Sequence, residues 1–243
     1  MKKSLKILFA LPAFVLCACD NNKALDETNA KSQLAAMKEE VAKDSFIAPS
    51  KGSMTTEAVT TLDSTTITIT GEIRFDTTVG NRYLYTKANA LGMDAETWYY
   101  EKDGEYFNVT SAMGVTDTTT YATEAEFTTA FNEIATSSKI AEDSMKEFVT
   151  NTYDEIESLY TESSENAYEY TLNFTKINDS SFKLVINGTA KNSSVDFTSI
   201  EETIEFENYL PTKATVNNIG PNSSATLNTI YTWNSVEYIY PSK

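Results

Sequence analysis

Glu96-Thr97-Trp98-Tyr99-Tyr100-Glu101-Lys102-Asp103-Gly104-Glu105-Tyr106-Phe107-Asn108-Val109 reads as two aromatic-rich strands joined by a two-residue turn. Asp-Gly suits such a turn because both central residues need a positive φ, which glycine adopts freely and aspartate tolerates. Aromatic residues on either side favour a pleated, half-buried surface. The stretch therefore predicts an antiparallel hairpin, and most of the surrounding chain repeats its pattern.

Upstream, Ile67, Ile69, Ile73 and Phe75 alternate with threonine and charged residues. Gly71 replaces one apolar member of that series, which predicts a bulge or a close approach. Tyr83 and Tyr85 mark a partner strand after a turn at Gly80-Asn81. Downstream, Tyr168, Tyr170, Leu172 and Phe174 alternate, Asn178-Asp179 turns into Phe182, Leu184 and Ile186, and Asn187-Gly188 reads as another turn. A run over Val195–Tyr209 ends at Pro211. Ala214 and Val216 suggest a strand, Asn218–Ser223 a loop, Leu227 to Trp233 a strand, and Val236–Tyr240 an edge.

Helical spacing appears in three places. Ala30, Leu34, Met37 and Val41 form one apolar stripe, ended by Pro49-Ser50-Lys51-Gly52. Thr123 and Glu126 form a capping box ahead of Phe127, Phe131 and Ile134. Met145, Phe148, Val149, Ile156, Leu159 and Tyr160 make a third stripe, with Glu142 and Asp143 in its first turn, where the helix dipole favours acids. The prediction is one α+β domain over residues 28–243, a large curved antiparallel sheet (an open half-barrel) covered by about three helices.

The first 18 residues have the layout of an export signal: Lys2, Lys3 and Lys6, then apolar Ile7–Leu16, then small residues. Ten apolar residues rise about 15 Å as a helix, half the ~30 Å hydrocarbon core of a bilayer. Leu16-Cys17-Ala18-Cys19 resembles a bacterial lipobox, which implies cleavage before Cys19 and a diacylglyceryl anchor on it. Residues 19–27 then read as a short polar tether, and the protein is expected at the cell membrane, on the extracytoplasmic face. Without the leader, Cys19 is the one remaining cysteine, so no disulfide framework is available and an ordinary core must hold the fold.

The net charge of −16 becomes −19 once three leader lysines are removed. A surface this acidic disfavours nucleic acid and anionic head groups, both of which need Lys and Arg. No histidine occurs, which excludes Ser-His-Asp and Cys-His catalysis and His-based zinc sites. Neither Gly-rich phosphate motif nor an EF-hand loop is present. Ser180-Ser181-Phe182-Lys183 matches S-x-x-K, but lacks its companion motifs S-D-N and K-T-G. No cofactor and no enzymatic activity are expected.

The order of elements around the Trp98–Phe107 hairpin, the Leu34–Val41 helix and the helix pair at 123–161 resembles the LolA-like lipoprotein-carrier family and its anchored relatives among actinobacterial and Gram-positive surface lipoproteins. The resemblance is one of layout, over most of residues 27–240. It implies an apolar cavity between sheet and helices that holds an acyl chain. The candidate lining is Ile67, Ile69, Ile73, Phe75, Trp98, Phe127, Phe131, Phe148, Tyr170, Leu172 and Phe174, although each taken singly reads first as plain core. The expected function is non-enzymatic binding of a hydrophobic ligand, a lipid above all. The alternatives are a surface interaction lipoprotein with a filled core and, last, a carboxylate-dependent glycosidase.

Overall fold

The computed structural model describes residues 23–25, 27–159, 167–192 and 197–241. The export signal and Cys19 lie outside them. In chain order the elements are β1 (Lys23–Leu25), α1 (Glu27–Ala42), β2 (Lys51–Leu62), β3 (Thr65–Asp76), β4 (Tyr83–Ala90), β5 (Met93–Lys102), β6 (Glu105–Ala112), β7 (Val115–Tyr121), α2 (Glu124–Ser137), α3 (Glu142–Leu159), β8 (Tyr168–Asn178), β9 (Ser181–Ala190), β10 (Ser199–Glu207), β11 (Leu210–Ile219) and β12 (Ser223–Trp233).

The strands form one sheet in the order β1-β8-β9-β10-β11-β12-β2-β3-β4-β5-β6-β7. It consists of two meanders, β2 to β7 and β8 to β12, joined where β12 pairs with β2 from Trp233↔Gly52 to Ser223↔Leu62. The pairings are antiparallel throughout, and the sheet is open and curved. The curved α+β sheet expected from alternation, and the open half-barrel that the resemblance implies, are therefore the observed fold.

Local chemistry explains several boundaries. The Asp103-Gly104 turn has φ of 53° and 80°, as its two-residue hairpin requires. Leu91-Gly92 and Met113-Gly114 take the same conformation at the opposite end of the sheet. Thr123 caps α2 through the expected reciprocal box with Glu126. Phe127, Phe131 and Ala135 then follow at four-residue spacing and are buried.

The helices cover one face of the sheet, at the end holding the 103–104, 178–181 and 207–210 turns. Leu34, Met37 and Val41 of α1 and Val149, Tyr153 and Ile156 of α3 pack on Phe174, Phe182, Leu184, Ile204 and Phe206. Phe182 stacks on Phe206 at 4.3 Å and on Phe174 at 4.8 Å between ring centroids. Helix α2 packs separately on Phe75 and Leu84, with Tyr99, Tyr106 and Tyr121 at its margin. Phe46, Phe148 and Trp233 touch both cores. Arg82 ties the sheet to α2: its guanidinium bonds Glu101, Glu124 and Thr128, and both Arg82 and Glu101 are buried.

The opposite face has its own small core of Tyr83, Tyr85, Trp98 and Val109, covered by Val236 and Ile239. The C-terminal segment after β12 is thus an irregular strap, not the edge strand expected at Val236–Tyr240. It is held because the Tyr83 hydroxyl donates to the Ile239 carbonyl at 2.7 Å, Tyr238 donates to Asp76, and Arg74 bonds Glu237.

Three further expectations change. Lys23–Leu25, inside the segment read as a tether, pairs with Phe174–Lys176 of β8, and α1 begins at Glu27. The free edge of β8 supplies those backbone partners. Asn187-Gly188 makes no turn; it lies within β9, paired on both sides with Thr171-Tyr170 and Glu201-Ile200. Gly71 keeps regular register with Thr56 and Ala88, and the sheet's irregularities fall at Lys176/Asn178 and Glu205/Phe206 instead.

Candidate functional site

Cross-strand register assigns each residue to a face, because alternate side chains point to opposite sides. On the helix-covered face, one row runs Leu172, Ile186, Glu202, Val216, Leu227, Ala58, Ile69, Ala90, Met93 from β8 across to β5. The row nearer the helices runs Phe174, Leu184, Ile204, Ala214, Thr229, Thr56, Gly71, Ala88, Ala95, Ala112. The row nearer the free end runs Tyr170, Gly188, Ile200, Asn218, Ala225, Thr60, Ile67.

These rows extend beyond the helices, and exposure follows. Phe174, Leu184 and Ile204 are buried under α1 and α3, whereas Ala88, Ala95 and Ala112 in the same row are exposed. The free half of this face is thus an uncovered strip of the curved sheet, the trough, with small side chains along it. Its floor is alanine, glycine and threonine, and its walls are Ile69, Leu172, Val216 and Leu227, all half-buried.

Under the helices the packing is tighter. Beneath the helices the described residues leave an apolar void of about 30 Å³, lined by residues including Met54, Ile73, Phe148, Tyr231 and Trp233. That is room for about one water molecule. Phe75, Phe127, Phe131 and Phe174 of the expected cavity lining are packed into the two cores here. A larger groove of about 530 Å³ between α1 and α3 is crossed by Lys38, which bonds Asp154 and Glu157.

The candidate residues separate accordingly. Phe75, Phe127, Phe131 and Phe174 are core, each almost fully buried. Trp98 is on the other face of the sheet, under the C-terminal strap, because its partner Tyr85 alternates with Leu84. Ile67, Ile69, Tyr170 and Leu172 lie on the trough, and Ile73 and Phe148 at its junction with the core. Ser180 to Lys183 runs through a turn into β9, with Phe182 in the core; the Ser180 hydroxyl donates to Asn178 Oδ1 and Lys183 alternates onto the opposite face from Phe182.

Glu202 was not foreseen. It occupies the centre of the apolar row, between Ile186 and Val216, in the period-two slot between Ile200 and Ile204. That slot was legible as an acid where the alternation calls for an apolar residue. Its carboxyl is desolvated by these neighbours and faces Glu155 of α3, and together they push its pKa up to about 8. Glu155 is itself raised by desolvation. Tyr170 lies flat over Gly188, where an added Cβ would meet its ring at 2.8 Å, and its hydroxyl is held above its usual range by burial and then by Glu202. Asn218, diagonal to Glu202, has its Oδ1 buried without a hydrogen-bond partner.

Among the described residues no group of three or more acidic or thiol ligands converges as a metal site, and no helix is long and apolar enough to cross a membrane. No family model and no curated protein matches this chain. Solved structures show distant likeness. A DUF1329 family protein from Desulfovibrio piger is 10% identical, covering 88% of this chain and 96% of its own, with a TM-score of 0.24. A LolA superfamily protein from Nitrosomonas europaea is 10% identical over 86% and 94%, with a TM-score of 0.22. A putative outer membrane lipoprotein-sorting protein domain from Vibrio parahaemolyticus is 9% identical over 87% and 95%, with a TM-score of 0.23. Superpositions at these scores decide nothing; the fold rests on the sheet order itself.

Proposed function

We propose that this chain is a lipid-anchored, extracytoplasmic protein that holds the hydrophobic part of an amphiphile in the open trough without transforming it. The observation that carries the reading is the contrast along one face of the sheet. Where helices lie, the rows hold large buried side chains such as Phe174, Leu184 and Ile204; where they stop, the rows shrink to Gly71, Ala88, Ala95 and Ala112 beside Ile69 and Leu227. Neighbouring strands lie about 4.8 Å apart, so five of them span ~20 Å, enough for an extended twelve-carbon chain. The leader and Cys19 support the anchor, and the absence of histidine supports binding over catalysis.

Binding of a neutral, fluorescently labelled dodecyl chain to the full-length protein tests this. Anisotropy should rise and saturate with the wild type, and Ala95→Trp, whose ring would occupy the floor, should weaken binding at least tenfold with unchanged circular dichroism. Equal binding by the two proteins would refute the trough as the site. Loss of metabolically incorporated palmitate in Cys19→Ser tests the anchor.

A second reading, contact with an envelope partner, is favoured by one feature. The turns at the free end of the sheet carry exposed Leu62, Leu91, Met93, Met113, Val115 and Ile219. Crosslinking that captures one protein from these positions, with no bound amphiphile, would support it instead.

A further inference from the structure

We infer that the trough is built for an amphiphile whose head group carries a protonated amine, seated against Glu202 and Glu155 with Asn218 beside them. This rests on the trough being a binding site at all, and it adds what the site selects. Glu202 is the single charged member of a nine-strand row that is otherwise aliphatic. A carboxyl among aliphatic side chains without a partner is costly, so such groups are found paired or coordinating a ligand. Among the described residues the Glu202 side chain has no hydrogen bond or ion pair, and neither has the side chain of Glu155, which is exposed on α3.

The groups around it are alike in kind. The Glu155 carboxylate and the buried, unpartnered Asn218 Oδ1 are acceptors, Glu202 becomes another once its proton leaves, and the three rows hold no lysine or arginine. The lysines of β9, β11 and β4 (Lys183, Lys213 and Lys87) alternate onto the opposite face. What is missing is a donor carrying positive charge. An ammonium supplies up to three N–H donors and offsets the repulsion between two facing acids, which a neutral hydroxyl head would not. A phosphate, sulfate or carboxylate head would instead set further negative charge beside Glu155 and oppose ionisation of Glu202. The ring of Tyr170, which is coupled to Glu202, offers cation–π contact to the same head, and Tyr231 is coupled to Glu155. The apolar row on both sides then takes the tail.

Docking has a proton balance that can be read. The ammonium keeps its proton, while the Glu202 carboxylic acid passes its own to bulk water and becomes the counter-ion. Near pH 7, binding should release up to one proton per ligand and tighten as pH rises toward 8.

The test uses the full-length protein and four soluble twelve-carbon probes below their micellar concentrations: dodecylammonium, dodecyltrimethylammonium, dodecanol and dodecanoate. Displacement of the labelled neutral chain should rank dodecylammonium at least tenfold tighter than dodecanol, with dodecanoate weakest. Glu202→Gln should cut dodecylammonium affinity about tenfold, abolish its proton release, and leave dodecanol within about twofold. Glu202→Leu provides a second variant that keeps the row apolar. Equal affinity for amine and alcohol, or an amine affinity indifferent to Glu202→Gln, would overturn the inference while leaving the trough as a site. Displacement by none of the four probes would overturn the trough reading and this inference together. Tight binding of dodecyltrimethylammonium would support charge recognition; its failure beside a tight dodecylammonium would support N–H donation to the acids.

Discussion

Glu202 makes the stability of this fold fall as pH rises, against the usual behaviour of carboxylates. In the unfolded chain a glutamate loses its proton near 4.5, whereas in the fold Glu202 keeps it until about 8. A raised folded-state pKa gives a contribution that is complete below 4.5 and is lost as pH climbs through 8. Across that window each pH unit removes about 1.4 kcal/mol. From pH 5 to pH 8 the ceiling is about 4 kcal/mol, moderated by the solvent that reaches a half-buried carboxyl. The titratable groups coupled to it are Glu155 on α3, whose raised pKa adds in the same direction, and Tyr170; Tyr231 is coupled to Glu155, and both tyrosines stay neutral over this range because burial raises them. Glu202→Gln keeps the shape and cannot ionise. Guanidinium unfolding of both proteins at pH 5, 6.5 and 8 should therefore show near-equal midpoints at pH 5 and a variant more stable by up to ~4 kcal/mol at pH 8. At 2–4 °C per kcal/mol for a domain of this size, that is about 10 °C in Tm. Parallel pH profiles for the two proteins would refute the burial of Glu202 as argued.

Three other substitutions have definite expected outcomes. Arg82→Ala leaves buried Glu101 without its cation and detaches Glu124 and Thr128 of α2, so chemical denaturation should register a loss of about 3–5 kcal/mol. Phe182→Ala removes the middle ring of the Phe174–Phe182–Phe206 stack, for a loss of about 3–5 kcal/mol; a loss under 1 kcal/mol would show that the stack does not hold α1 and α3 to the sheet. Leu91→Asn and Met113→Asn replace bulky residues at φ of 55° and 51° with one that tolerates the left-handed region, and each should raise stability by about 0.5–1 kcal/mol in a thermal melt.

What the sequence determined by itself was whatever depends on neighbours a few residues apart. The Asp103-Gly104 hairpin, the Thr123–Glu126 capping box and the period-two and period-four apolar patterns follow from local backbone preference, and together they specify strands, helices and their order. Face and occupancy needed the tertiary structure. Alternation puts Trp98 opposite Tyr99 but does not say which side the helices choose; the strap through Val236 and Ile239 decides it. Asn187-Gly188 carries a turn signal that two paired neighbouring strands override, and the missing Cβ of Gly188 makes room for Tyr170. Ala88, Ala95 and Ala112 are unremarkable in sequence, since small residues advertise nothing; only pairing across β4, β5 and β6 assembles them into one floor. Glu202 stood in plain view between Ile200 and Ile204, yet its isolation exists only because Ile186 and Val216, 16 and 14 residues away, pair on either side.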